Sequence, residues 1–281
     1  MHIGPYQLTA IDAGRFRLDG GSMFGSIPKT IWERVFPADE KNRITLALRT
    51  LLVRGEGRTI LCEIGIGDKW TDRERDIYGI DGSNEKLLSA LSDHNVSPDD
   101  VTDIIISHLH FDHAGGLTDK RPGNTLVPTF PEARVHIQRK NREWALAQNE
   151  REQASYLLDN ITPIEEAGLL ELHDGPGELF PGIDIMVADG HTRGMQMARI
   201  SDGSTTLVFV ADLIPTRAHI RLPFIMGFDI EAIRTLEEKK QFLTSAAAEG
   251  WILFFTHDPD IAACRAESKD GDFVLSEPVE L

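Results

Sequence analysis

The segment His108–His113 reads HLHFDH and places four ligand-type side chains in six residues. Imidazole and carboxylate are the standard ligands of zinc, and imidazole also suits iron. The apolar run Val101–Ser107 (VTDIIIS) precedes the segment and has the composition of a buried strand. A lone histidine in a loop is usually an ordinary polar residue. Four such side chains emerging together from a strand point to metal binding. His108 and His110 are two apart, so in an extended segment they point the same way. Asp112 and His113 are adjacent, and can diverge toward a second ion where the chain turns. Gly115-Gly116 follows and supplies a tight exit without side chains close to the metals.

The rest of the chain alternates strands and helices. Leu46–Val53 and Thr59–Ile64 are short apolar runs separated by Gly55 and Gly57, which suits a hairpin. Leu87, Leu88 and Leu91 have helical spacing, and Ser97-Pro98-Asp99-Asp100 has the form of a helix start. Arg139–Asp159 is expected to be mostly helical, with Trp144, Leu157 and Leu158 inward. Ile183–Ala188, Gln196–Ser201, Thr205–Ala211 and Ile252–Thr256 read as strands. Glu231–Glu249 reads as a helix with Ile233, Leu236, Leu243 and Ala247 on one face and Gly250 as its stop. Three strands run directly into a ligand-type residue, at His108, Asp212 and His257. His191 follows a fourth after Asp189-Gly190. Strand ends that release polar residues into loops are where α/β proteins place chemistry. No repeat or linker interrupts the pattern, so one domain over residues 1–281 is expected.

HLHFDHAGG resembles the signature of the metallo-β-lactamase superfamily. Later segments resemble its remaining motifs in order: Asp189-Gly190-His191-Thr192-Arg193-Gly194, Val210-Ala211-Asp212, and Phe255-Thr256-His257-Asp258-Pro259. The likeness runs from about Leu46 to Asp260. It implies an α/β fold of the αβ/βα sandwich type, with two mixed sheets flanked by helices and the metals at one edge between them. It also implies that His108, His110 and His191 hold one metal and that Asp112, His113 and His257 hold the other, with Asp212 bridging. Two divalent ions follow, zinc first, with iron, manganese or cobalt as alternatives. Such a pair lowers the pKa of bound water toward 7 and polarises a substrate carbonyl. Asp112 would orient the nucleophile and deliver a proton to the leaving oxygen.

A narrower resemblance lies in Leu18–Trp32 (LDGGSMFGSIPKTIW) and Leu61–Gly67 (LCEIGIG). Both are similar to the subgroup of bacterial acyl-homoserine lactonases, with the organophosphate hydrolases nearby. That subgroup usually has an aspartate where Glu63 stands. Met23, Phe24, Ile27, Trp32 and Phe36 form an apolar cluster. It is either a loop packed on the core or one wall of a pocket for an acyl chain. Phe111, Leu213, Phe224, Ile225, Met226 and Phe228 are candidates for the opposite wall. His219, which follows Asp212-Leu213-Ile214-Pro215 closely, is a candidate pocket or supporting residue. His2, His94, His136 and His173 are expected at the surface or in structural roles, and Cys62 and Cys264 as small buried hydrophobes.

Composition removes several alternatives. The formal net charge of −16 is a poor match for nucleic acid. Two cysteines cannot build a disulfide framework. No apolar run reaches membrane-spanning length and no export signal is evident, so no membrane association is expected and the cytoplasm is the expected location. The expectation is a dinuclear hydrolase acting on a small molecule, a lactonase of the acyl-homoserine lactone type and hence quorum-quenching. A phosphotriesterase or thioester hydrolase on the same site is the alternative. A non-catalytic metal-binding module would be expected to lack a ligand, and none is missing. The oligomeric state stays open, a homodimer included.

Overall fold

The structure, a computed structural model, describes residues 1–147 and 149–281. Two sheets carry the fold. In the first, neighbouring strands run in the order His2–Ile3, Tyr6–Asp19, Arg43–Gly55, Arg58–Cys62, Asp103–Ile105, Arg134–Gln138 and Leu170–His173. Asp81–Gly82 pairs with Tyr6–Asp19 beside this path. In the second the order follows the sequence: Gly177–Phe180, Ile183–Ala188, Met195–Ser201, Thr206–Phe209, Ile252–Phe254, Ala263–Lys269, Asp272–Pro278. Both sheets are mixed. Arg58–Cys62, Asp103–Ile105, Arg134–Gln138 and Leu170–His173 are mutually parallel, as are Thr206–Phe209 and Ile252–Phe254. Parallel neighbours need crossovers. Helices Asn84–Asp93, Arg139–Ala147 and Ala232–Glu249 lie within three of these connections.

Side-chain alternation places the layers. Leu51 and Val53 enter a core shared with Ile185, Met197, Phe209 and Phe254 of the second sheet. Leu52 and Leu61 face the other way, toward Leu87 and Leu91 of a covering helix and Ala145 of another. The result is the αβ/βα sandwich expected from the resemblance.

The hairpin at Gly55–Gly57 forms as expected: Arg43–Gly55 and Arg58–Cys62 are joined by Glu56 and Gly57, both at positive φ (49° and 71°). That is the conformation a two-residue hairpin turn demands. The longest strand, Tyr6–Asp19, was not anticipated. A register shift between Asp12 and Arg15 breaks its alternation in mid-strand.

Three helical expectations are corrected. Among the described residues Arg139–Asp159 is α-helical only over Arg139–Ala147, with 3-10 turns at Gln153–Ser155 and Leu158–Asn160; Gln148 lies outside the described residues. Beyond it the chain turns, with the Asn149 side chain accepting from the Arg151 and Glu152 backbone N–H groups. Asn141, Ala145, Glu152 and Tyr156 are buried there, whereas Trp144 and Leu157 are half-buried and Leu158 is exposed. Helix Ala232–Glu249 stops at left-handed Gly250 as expected, yet its buried residues are Thr235, Lys239, Phe242, Leu243 and Ala246. Ile233 is 71% exposed. The Lys239 ammonium explains the rotated face, since it donates to the carbonyls of His219, Arg221 and Phe224 at 3.1, 3.0 and 2.7 Å. The expected helix start at Ser97 is a single 3-10 turn, Pro98–Asp100. No helix among the described residues is long and apolar enough to cross a membrane.

Candidate active site

Seven side chains converge at one edge between the sheets. His108, His110, Asp112 and His113 come from the loop and short helix after Asp103–Ile105. His191 follows Ile183–Ala188, Asp212 follows Thr206–Phe209 and His257 follows Ile252–Phe254. Gly115 and Gly116 bring this loop onto the 64–67 segment. A Cβ at either would lie 2.1–2.2 Å from the carbonyl oxygen of Ile66 or Ile64, so only glycine fits. Glu63 (φ 66°) and Ala211 (φ 46°) adopt left-handed backbone beside the site, a conformation costing on the order of 1–3 kcal/mol for a non-glycine residue.

The donor atoms form overlapping groups. His108, His110 and His191 make one, Asp112, His113 and His257 another, and His108, His113 and Asp212 a third between them, with the atoms of each within 4.8 Å of one another. His108 Nε2 lies 3.0 Å from His110 Nδ1 and 3.2 Å from His191 Nε2. His113 Nε2 and His257 Nε2 are 3.2 Å apart. Asp212 spans the groups, with Oδ2 3.3 Å from His191 Nε2 and 3.5 Å from His113 Nε2, and Oδ1 3.4 Å from His257 Nε2.

The rings are anchored from outside. The remaining nitrogens of His108, His113, His191 and His257 meet Ser107 Oγ, Glu63 Oε2, Asp229 Oδ1 and the Ala47 carbonyl at 2.7–2.9 Å. Glu63 also accepts the Ser107 backbone N–H at 2.7 Å, so the glutamate at this position ties His113 to the strand end. Burial and the neighbouring imidazoles push the His108 pKa well below its usual value. Burial alone would do the same to His113, but Glu63, Asp112 and Asp212 raise it well above. For Asp212 burial opposes ionisation, and His113, His257 and His191 overcome it, holding its pKa well below the carboxylate range.

Several inward nitrogens face one another at hydrogen-bond distance, and the buried Asp212 Oδ1 has no hydrogen-bond donor among the described residues. Nitrogen lone pairs and a carboxylate oxygen converging on common points match what a divalent cation takes, and the outward partners are those that orient metal-binding imidazoles. The donor set therefore fits a divalent metal.

A cavity of about 420 Å³ opens onto this cluster. His110, Asp112, His191, Asp212 and His257 form its floor, and Leu18, Met23, Ile77, Tyr78, Phe111, Met226 and Phe228 much of its wall. Of the expected pocket residues, Met23 and Phe111 line it. Phe24, Trp32 and His219 do not; they form a layer behind. Phe24 stacks on Trp32 and on His219, with ring centroids 5.4 and 4.9 Å apart, and all three are buried. His219 Nε2 donates to the Met23 carbonyl at 2.8 Å, so it supports the wall from the rear. From the proposed opposite wall, Met226 and Phe228 line the cavity, whereas Leu213, Phe224 and Ile225 do not.

Sequence reasoning missed Asp229, Glu152, Tyr156 and Thr192. Asp229 and Glu152 lie 38 and 42 residues from the histidines they approach, and Tyr156 reaches Thr192 across 36 residues, so no local spacing signals them.

Fold and site together define a metal-dependent hydrolase. Residues 49–257 match the family model described as the metallo-β-lactamase superfamily, and the chain belongs to that superfamily. A protein named N-acyl homoserine lactonase AiiA, from Bacillus thuringiensis subsp. kurstaki, is 27% identical over 265 residues, covering 90% of this chain and 93% of that protein. Among solved structures, a probable metal-dependent hydrolase from Staphylococcus aureus superposes with a TM-score of 0.89 at 26% identity, over 99% of this chain and 100% of that one. AidC, described as a dizinc quorum-quenching lactonase in complex with a homoserine product, superposes with a TM-score of 0.80 at 24% identity, over 100% and 97% of the two chains.

Proposed function

We propose that this protein is a lactonase that opens lactone rings bearing an apolar acyl chain. The observation that carries the reading is the seven-residue donor set at the floor of a largely apolar cavity. The 27% identity to an N-acyl homoserine lactonase across 90% of the chain supports the same substrate class. His108, His110 and His191 would hold one ion, Asp112, His113 and His257 a second, and Asp212 would be shared; zinc suits this donor set. Bound there, the ions would lower the pKa of water and polarise a carbonyl. The acyl chain would lie along Met23, Phe111 and Phe228, with the ring over the floor. Asp112 lines the cavity and lies 3.4 Å from His257 Nε2, where its carboxylate can steer the attacking oxygen. The new bond forms between that oxygen and the acyl carbon, the Asp112 carboxylate takes the proton that oxygen carries, the ring C–O bond breaks, and Asp112 passes the same proton to the departing alkoxide. The substrate is a small molecule, the chain one domain, and the working compartment the cytoplasm.

The test is a side-by-side kcat/KM series on lactones, aryl phosphotriesters and thioesters with metal-loaded protein. Lactones of increasing acyl length should be preferred. Faster turnover of phosphotriesters without acyl-length dependence would favour the phosphotriesterase alternative, and inertness toward every lactone would end the proposal.

A further inference from the structure

His110 differs from the other four site histidines in two ways. It faces the cluster with Nδ1, whereas the others use Nε2. Its outward nitrogen also lacks a close partner among the described residues. The other four outward nitrogens have one at 2.7–2.9 Å, while among the described residues His110 Nε2 faces only the Glu152 carboxylate, Oε1 at 3.5 Å. Glu152 is itself held firmly. Its Oε2 accepts from Trp144 Nε1 at 2.6 Å and Asn149 Nδ2 at 3.0 Å, and its Oε1 accepts from the Tyr156 hydroxyl at 3.3 Å. It is 4% exposed and lines the cavity.

We infer that Glu152 is the positioning residue of His110 and couples the cavity wall to the metal floor. This rests on the proposed role of His110 as a metal ligand. A carboxylate facing Nε2 favours the tautomer protonated there, which leaves the Nδ1 lone pair for the cluster. The segment carrying Glu152 contributes Arg151, Ala154 and Ser155 to the cavity lining. It is clipped to the floor twice more. His110 and Tyr156 form a backbone bridge, and the Tyr156 hydroxyl meets Thr192 Oγ1, next to His191, at 2.5 Å. Arg151 reaches across to the carbonyls of Gly227 and Asp229 at 2.7 and 3.3 Å, and Asp229 is the residue that orients His191. A ligand that fills the cavity against this wall should therefore slow metal loss, and by reciprocity bound metal should favour the ligand.

The experiment measures metal release from metal-loaded protein to a chromophoric chelator, with and without a non-hydrolysable acyl amide in the cavity. It is joined by the ¹⁵N NMR tautomer state of His110. Wild type, Glu152→Gln, Glu152→Asp and His110→Ala are compared. Both Glu152 variants should release metal faster, roughly 10–100-fold. Glu152→Gln should also shift the His110 tautomer signal and lose the slowing by the amide. Glu152→Asp guards against misfolding of the glutamine variant. Wild-type release and an unchanged tautomer in both Glu152 variants, with fast release in His110→Ala, would overturn the inference and leave the metal reading standing. Wild-type release in His110→Ala would overturn the ligand role and this inference together. None of these readouts depends on which substrate is turned over, so a failed lactonase assay is distinguishable from a failed Glu152 role.

Discussion

The floor and the wall of the cavity are built by different physics. The floor consists of polar side chains released at strand ends, and four of the five histidine rings of the site are fixed by a short hydrogen bond from outside. The wall consists of apolar side chains from loops and short helices, held by stacked layers such as Trp32, Phe24 and His219. Floor groups depend on one another electrostatically, so losing one leaves buried partners unpaired. Wall groups contribute in proportion to the surface they cover. Substitutions on the floor should therefore act nearly all-or-none and those in the wall by degrees.

The sharpest break is expected at Asp212, which faces both flanking donor groups. Asp212→Ala should lose at least one metal equivalent by elemental analysis. Its activity should fall by more than the roughly 10²–10⁴-fold that acid–base help alone supplies, with far-UV circular dichroism unchanged. Normal metal content in that variant would contradict the shared role. Asp112→Asn comes next. It keeps one oxygen in place but cannot carry the proton, so kcat should drop about 10²–10⁴-fold with KM little changed. A rise in KM alone would make Asp112 a positioning group.

The same contrast governs how much could be read in advance. His108, His110, Asp112 and His113 are legible because four donors fall in six residues after an apolar strand. His191, Asp212 and His257 are legible because each follows a strand and sits in a segment resembling a superfamily motif. Glu152 and Asp229 are silent, since they approach their histidines from distant loops. In the wall, Met23 and Phe24 are adjacent and both apolar, yet one lines the cavity and the other lies behind it. Hydrophobicity records that a residue is buried and says nothing of which layer it joins. Lys239 shows the converse: a charged residue on the inner helix face, held by three carbonyls that local pattern cannot reveal.

The rear layer should behave as core. Phe24→Ala should cost about 3–5 kcal/mol in denaturant unfolding of the metal-loaded protein. His219 adds a pH signature. Burial pushes its pKa down from 6.5 to about 3. Between those values the unfolded chain binds more protons than the folded one, so stability rises with pH. The contribution is complete above about 6.5 and is lost as pH falls toward 3. Between pH 6.5 and 5 wild type should lose up to about 2 kcal/mol more than His219→Gln, which has no such titration. Parallel pH curves for the two proteins would show that His219 is not held neutral.

The smallest and most graded effect belongs to the front of the wall. Met23 faces the cavity, its carbonyl fixed by His219 behind it. Each methylene of an acyl chain buried along Met23 and Phe111 should strengthen binding by up to about 0.8 kcal/mol, until the cavity of about 420 Å³ is filled. Met23→Ala removes part of the surface that covers the chain, so the rise of affinity with acyl length should flatten while the floor and its metals stay intact. Trp32→Ala should lower stability but preserve the slope in the protein that remains folded, because Trp32 does not line the cavity. Competitive inhibition by a series of non-hydrolysable acyl amides separates the two, since it reads binding without turnover. A slope abolished by Trp32→Ala and untouched by Met23→Ala would reverse the assignment of front and rear layers.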